Sequence, residues 1–203
     1  MPAPRKDRKP WPMKWIVVSI LVFIPIYTYL TLHYRRPGPA FNPYRDMRDR
    51  ADVIRLLKAG YQRVAIDASR PAEEVPGGGG ASVAAPGGLP AELGKTLIES
   101  PLLPLEINSV SAAPTAVAGI DYTISLTYTI PDNKRQLSGA HLYERQGDLV
   151  IVADFERLAG ALLARTRDGS AILDIPPGSL RPGTYHVTLV GERASRSWSL
   201  TVR

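Results

Sequence analysis

IDYTISLTYTI, residues 120 to 130, alternates between apolar and polar side chains without a break. A period of two places one set on each side of an extended chain, which is the pattern of a β-strand with one buried face. The apolar set is Ile120, Tyr122, Ile124, Leu126, Tyr128 and Ile130. The stretch predicts a mainly β fold for the C-terminal part of the chain.

Other short apolar runs separated by turn residues follow the same pattern. The predicted strands are LEINSVS at 105–111, the segment 140–144, LVIVADF at 149–155, AILDI at 171–175, TYHVTLV at 184–190 and SWSLTVR at 197–203. About seven short strands divided by turns are typical of a β-sandwich, which we expect over residues 101–203. PAELGKTLIE at 90–99, before this domain, fits a helix, and FERLAGALLAR at 155–165 fits either a helix or a strand with a connecting turn.

One of these segments carries a resemblance. LRPGTYHVTLV at 180–190 is similar to the PGTY-x-V-x-L segment of bacterial immunoglobulin-like and fibronectin-like domains. The resemblance implies an Ig-like sandwich in which Tyr185 occupies a corner and returns its hydroxyl to the backbone, with Val187 and Leu189 facing inward. The chain has no cysteine, so the immunoglobulin disulfide is absent.

The N-terminal part contains a long apolar run. Residues 15–33 read WIVVSILVFIPIYTYLTLH, without a formal charge between Lys14 and Arg35. This length is enough to cross a hydrocarbon core and predicts a transmembrane helix over 15–34, which Pro25 should kink. The aromatic residues expected at the two membrane interfaces are Trp11 and Trp15 at one end and Tyr27, Tyr29 and Tyr34 toward the other.

A cleaved signal peptide is the main alternative for this run. The run is long for a signal peptide, and Arg35 and Arg36 interrupt the approach to a cleavage site, so we expect a permanent single-pass anchor. The basic tail of residues 1–14 favours a cytoplasmic N-terminus and a periplasmic C-terminal domain at a bacterial inner membrane. Basic residues also follow the span, so the orientation stays open.

Residues 35–70 predict a juxtamembrane helix and a short strand. Asn42 and Pro43 suit a helix start, Gly60 suits its end, and YQRVAID at 61–67 suits a strand. Apolar residues recur along the helix at helical spacing. That face is expected either to cover a small core beneath a solvated charged face, or to lie on lipid headgroups or on a neighbouring subunit. The members of this stripe are Met47, Ala51, Ile54 and Leu57.

Residues 71–100 are rich in Gly and Pro and predict a flexible linker. Within it, GGLPAELGKT at 87–96 ends like a phosphate-binding loop. That loop requires a glycine five positions before Gly94, where this chain has Leu89. A Gly/Pro stretch also precedes it instead of a buried strand, so nucleotide binding is not expected.

The sequence shows no catalytic, metal or cofactor constellation. Its three histidines, His33, His141 and His186, are far apart, and the aspartates are spread over turns without the spacing of a calcium loop. His33 is interpreted as an interfacial polar residue, with a pigment ligand as the alternative. The net charge of +6 is concentrated near the apolar run, which points to a membrane surface and not to nucleic acid.

These features predict a non-catalytic accessory subunit whose partners are membrane lipids and the other subunits of a membrane complex. One anchor followed by a soluble cap is similar to the layout of accessory subunits of bacterial photosynthetic reaction-centre and light-harvesting complexes, and the resemblance implies that setting. The alternative is a free-standing envelope protein whose sandwich binds glycan or another ligand. That alternative predicts exposed aromatic side chains on one sheet face.

Overall fold

A computed structural model describes residues 12–34, 43–71, 82–158, 160 and 162–203. The chain divides into two compact units, Met1–Pro43 and Tyr44–Arg203. The helices are α1 (Met13–Tyr34), α2 (Pro43–Lys58) and α3 (Ala91–Thr96). The strands are β1 (Gln62–Ser69), β2 (Val83–Pro86), β3 (Glu106–Ala112), β4 (Thr115–Ala116), β5 (Tyr122–Thr129), β6 (Arg135–Arg145), β7 (Asp148–Arg157), β8 (Asp168–Ile175), β9 (Gly183–Leu189) and β10 (Ala194–Val202).

α1 is long enough and apolar enough to cross a membrane. Its 22 residues continue through Pro25 without interruption, and Met13–Thr31 has a mean hydropathy of 1.8. None of the side chains of that window is buried within the protein. An apolar helix of this kind near an N-terminus serves either as a membrane anchor or as a signal sequence.

The second unit is a closed β-barrel of eight strands. Following hydrogen-bonded neighbours, the order is β10-β3-β5-β8-β1-β6-β7-β9, and β9 pairs with β10 to close the ring. Most neighbours are antiparallel, whereas β7 with β9 and β10 with β3 are parallel. The short strands β2 and β4 add to β10 outside the ring.

The predicted Ig-like sandwich is therefore wrong. A sandwich keeps two separate sheets, but here β1 joins them: Gln62–Ile66 pair with β6 and Asp67–Ser69 pair with β8. The sequence alone assigns this strand to the juxtamembrane segment, apart from the predicted sandwich. Because β1 pairs along both of its edges, it joins the strands on either side into one continuous sheet. That sheet closes on itself where β9 pairs with β10, so the open edges of a sandwich are absent from the ring.

The barrel interior is filled with apolar side chains. The alternation of β5 is present as predicted, with Tyr122, Ile124, Leu126 and Tyr128 buried, while Ile120 lies before the strand and is exposed. Side chains of comparable size enter from the other strands; among them are Leu142, Leu149, Ile151, Leu173, Leu189 and Leu200, each fully buried. A barrel of eight strands is just wide enough to be filled in this way.

A second, smaller core fastens α2 and α3 to the outer face of β6 and β7. Leu56 of α2 and Leu93 of α3 are fully buried there, against the outward side chains of Tyr143, Val150 and Val152. α2 ends in a Schellman motif, because the N–H of Gly60 bonds to Leu57 and that of Tyr61 to Leu56. Gly60 has the positive φ of 81° that this ending requires.

Part of the predicted linker is ordered. Residues 72–81 lie outside the described residues, but β2 pairs with Ala194–Ser197 of β10, and α3 follows it. Gly88 donates its N–H to the carbonyl oxygen of Gly191 at 2.8 Å. GGLPAELGKT therefore lies against the barrel, and no helix forms over the described residues of 155–165.

Candidate functional site

A cleft of about 740 Å³ opens on the outer wall of the barrel. α2 and the segment 97–102 form one side, and the outward faces of β1, β6 and β7 form the other. Its ionisable lining consists of Arg48, Asp49, Asp52, Arg63, Glu99, His141, Tyr143, Asp154, Glu156 and Arg157. The inward neighbours of these strand residues fill the barrel, so strand alternation directs the polar side chains into the cleft.

Three side chains form a hydrogen-bonded row across the barrel wall. A guanidinium nitrogen of Arg63 lies 2.6 Å from Nε2 of His141, and Nδ1 of the same ring contacts Asp154. Arginine has no acceptor, so Nε2 must accept from Arg63. The proton of a neutral ring is therefore on Nδ1, which donates to the carboxylate of Asp154. Both ring nitrogens are already engaged within the protein.

The α2 side of the cleft is held by a second set of polar contacts. Asp52 is buried and accepts the backbone N–H of Ile98 at 2.8 Å. Arg48 forms an ion pair with Glu99. These contacts tie α2 to the segment after α3. The two elements that form this side of the cleft are therefore joined to each other as well as to the barrel.

Tyr143 lies at the base of the cleft, between the polar lining and the second core. It is 4% exposed, and this burial raises the pKa of Tyr143 to about 12, an effect that the nearby Arg63 guanidinium partly opposes. The phenol is therefore neutral over the physiological range. It supplies an apolar ring with one polar atom and no charge.

The lining of the cleft carries both signs of charge. Three arginines are opposed by five carboxylates, so the ionisable groups sum to two more negative than positive charges. Within the described ranges, no group of three His, Cys, Asp or Glu side chains is arranged to hold a metal ion. The arrangement suits a ligand that forms hydrogen bonds and brings positive charge, such as a basic protein segment.

The residues predicted to mark the membrane anchor fall into two groups. Trp11, Arg35 and Arg36 lie outside the described residues, and the side chain of Tyr34, the last residue of α1, is likewise not described. The others lie along α1: Pro25 within the helix, and Trp15, Tyr27 and Tyr29 with exposed side chains.

Two further predicted positions have identifiable neighbours. The His33 ring stacks on the ring of Tyr29 with centroids 5.6 Å apart. The hydroxyl of Tyr185 on β9 donates to the carbonyl oxygen of Arg181 at 2.9 Å, and Val187 and Leu189 face the barrel interior. The backbone contact of Tyr185 thus occurs in a barrel, and none of these positions belongs to the cleft.

The cleft was not predicted from the sequence, although the register of the β6–β7 hairpin indicates that two of its residues lie close together. Arg145 pairs with Asp148 across a two-residue turn, and counting outward places His141 opposite Val152. His141 and Asp154 then share one face as diagonal neighbours. No such local rule connects Arg63 to His141, because 78 residues separate them in the chain.

Comparison of the chain with protein-family models, with curated proteins and with solved structures gives no match. The features of this chain that bear on its function are therefore the cleft, the barrel surface and α1.

Proposed function

We propose that this protein is a membrane-anchored, non-catalytic accessory subunit that holds a partner protein at the cleft between α2 and the barrel. The observation that carries the proposal is the construction of the cleft. Its polar side chains already bond to one another, as in the row from Arg63 through His141 to Asp154. A fixed polar surface of this kind can recognise a partner with little loss of side-chain freedom on binding.

The excess of carboxylates indicates the chemistry of the partner. Asp49 has an exposed carboxylate, and among the side chains that the structure describes its ion-pair partner is Arg48, which lies 3.9 Å away and is also paired with Glu99. An incoming Lys or Arg side chain would meet a cleft with spare acceptor capacity. A partner segment with basic residues therefore fits this surface better than a nucleotide or another anion.

The aromatic residues of the second unit bear on the alternative function. Its aromatic side chains described between residues 47 and 203 are all buried; they are Tyr61, Tyr122, Tyr128, Tyr143, Phe155, Tyr185 and Trp198. Glycan-binding surfaces present aromatic faces on which sugar rings stack, and the described surface of the barrel presents none. This observation favours a protein partner over a free-standing glycan-binding role.

The membrane part of the proposal rests on α1. We propose that α1 remains as a permanent single-pass anchor in a bacterial inner membrane, with the N-terminus cytoplasmic and the barrel periplasmic. The hydropathy of α1 supports a membrane segment, and the basic tail before it supports this orientation. The photosynthetic reaction-centre and light-harvesting setting stays a prediction from the layout of the sequence.

Co-purification from detergent-solubilised membranes of the native organism tests the proposal. The tagged full-length chain should recover one partner complex in fixed stoichiometry. Asp49→Lys adds positive charge to the cleft and should release that partner. Asp121→Lys makes the same charge change at an exposed position before β5, so it should leave recovery unchanged. Recovery of the wild-type chain alone would contradict the proposal.

A further inference from the structure

α2 has a second surface that the barrel does not use. Of the side chains described along residues 47–58, Asp52 and Leu56 are buried and face the barrel. On the other side of the helix, Met47, Ile54 and Leu57 are 67%, 55% and 63% exposed. The apolar stripe predicted from the sequence is therefore not what attaches α2 to the barrel, and it lies open on the outside of the unit.

The outer side of residues 47–58 carries basic residues and no acid, because both acids lie on the cleft side together with Arg48. The acids Asp49 and Asp52 line the cleft. The basic residues Arg50 and Lys58 are exposed and, at 100° per residue, fall within the same arc of about 100° as the apolar stripe. The sequence alone mixes acids and bases in this helix, whereas the structure gives its outer side an apolar stripe with basic residues beside it.

The position of α2 in the chain limits what can lie against this stripe. Eight residues, 35–42, separate the end of α1 from the start of α2. A fully extended chain covers about 3.3 to 3.6 Å per residue, so these residues span at most about 30 Å. If α1 crosses a membrane, α2 cannot move far from the surface of that membrane.

We propose that the stripe of Met47, Ile54 and Leu57 docks in the headgroup region of the membrane that holds α1, with Arg50 and Lys58 beside anionic lipid headgroups. Apolar residues accompanied by basic residues are the pattern of a helix that lies in the plane of a membrane interface. The cleft is on the opposite side of α2, so it stays open to water and to a partner. The inference rests on the proposed function only in requiring α1 to be an anchor.

The absence of cysteine makes a direct test possible, because any single cysteine introduced is the only site for a nitroxide label. The full chain is reconstituted alone into vesicles with and without phosphatidylglycerol. Labels are placed at Leu57→Cys and Ile54→Cys, with Asp49→Cys on the cleft side and Asp121→Cys on the barrel as controls. Electron paramagnetic resonance then measures how often each nitroxide collides with two reagents. Collision with oxygen reports access from the lipid, and collision with a water-soluble nickel complex reports access from water.

The expected result is that the labels at 54 and 57 favour oxygen over the nickel complex, whereas both controls favour the nickel complex. Arg50→Gln should lower the equilibrium constant for docking about fivefold in anionic vesicles and have little effect in neutral ones. Water access at 54 and 57 equal to that at 121 would overturn the inference.

Two other outcomes would also overturn it, each in a recognisable way. Protection from both collision partners, with dipolar broadening between labels, would show that a second copy of the chain covers the stripe. Loss of the chain from the vesicles on alkaline extraction would show that α1 is not an anchor, which removes the proposed function together with this inference.

Discussion

Arg196 on β10 reaches across the barrel seam and donates to the carbonyl oxygen of Asn108 on β3 at 2.6 Å. A second guanidinium nitrogen donates to the carbonyl oxygen of Ile107 at 3.3 Å. β10 and β3 share a single bridge pair, Ala194 with Glu106. The hydrogen bonds from Arg196 therefore supplement a contact that is shorter than the strand pairings elsewhere in the ring. This arginine adds two side-chain hydrogen bonds to the backbone bonds that join this seam.

Arg196→Met is expected to lower the free energy of unfolding by about 1 kcal/mol, because two charge-assisted hydrogen bonds are lost and water can replace the guanidinium at the exposed Asn108 carbonyl. Urea unfolding in mild detergent, followed by near-ultraviolet circular dichroism, measures this change. Arg181→Met is the control, since that side chain is exposed. Equal stability of the two variants would mean that the guanidinium contacts do not hold the seam.

A second prediction concerns the segment that resembles a phosphate loop. A Cβ at Gly87 would lie 2.2 Å from the carbonyl carbon of Arg193, so Gly87→Ala should force β2 away from the barrel and cost about 1 to 3 kcal/mol. Gly94→Ala is the matched control: its Cβ would meet only Leu89, at 4.0 Å, and alanine favours the helix. Limited proteolysis of residues 82–100 should be faster in the first variant only.

The fold was partly predictable because its strands obey a local rule. The alternation of β5 depends on neighbouring residues and is found as predicted. The hairpin of β6 and β7 is local as well, with Gln146 and Gly147 between its strands. The closure of the barrel depends on β1, which pairs with strands that follow it by more than 70 residues. A short strand with a Gly/Pro-rich segment after it gives no local sign of its partners, so a sandwich was the expectation.

Alkaline pH should weaken the fold through Tyr143. Burial raises the pKa of this phenol from the model-compound value of 10.0 to about 12 in the folded protein. The unfolded chain therefore loses its proton first. The stabilisation by the neutral phenol is complete below pH 10 and is lost as the pH rises toward 12, by about 2 to 3 kcal/mol.

Tyr143→Phe isolates this effect, because it keeps the ring and removes the ionisable group. Unfolding free energies measured at intervals between pH 9 and pH 12 should fall less steeply for this variant than for the wild type. Burial also raises the pKa of Tyr122 and of Tyr128, so some decline should remain in the variant. Parallel pH profiles for the two proteins would contradict the assignment of the effect to Tyr143.

The cleft was less predictable than the fold for a physical reason. Its residues come from α2, the segment 97–102, β1, β6 and β7, and only the β6–β7 hairpin brings some of them together by local geometry. The rest meet because the second core places α2 on the outer wall, where Leu56 and Leu93 pack against Tyr143. In the sequence, the unbroken apolar run at 149–153 indicates that both faces of its strand are covered, but it does not indicate that α2 and α3 cover the outer face.

The last prediction concerns the proton on His141. Because Arg63 can only donate to Nε2, a neutral ring must carry its proton on Nδ1, and long-range proton–nitrogen spectra should show that tautomer. Asp154→Asn keeps an acceptor for Nδ1–H and should preserve both the tautomer and most of the stability. Asp154→Leu removes the acceptor and should cost about 1 to 3 kcal/mol, because the N–H remains partly buried without a partner. An Nε2–H tautomer in the wild-type protein would mean that Arg63 does not donate to this ring, and the proposal of partner binding at the cleft would then lose the fixed row on which it rests.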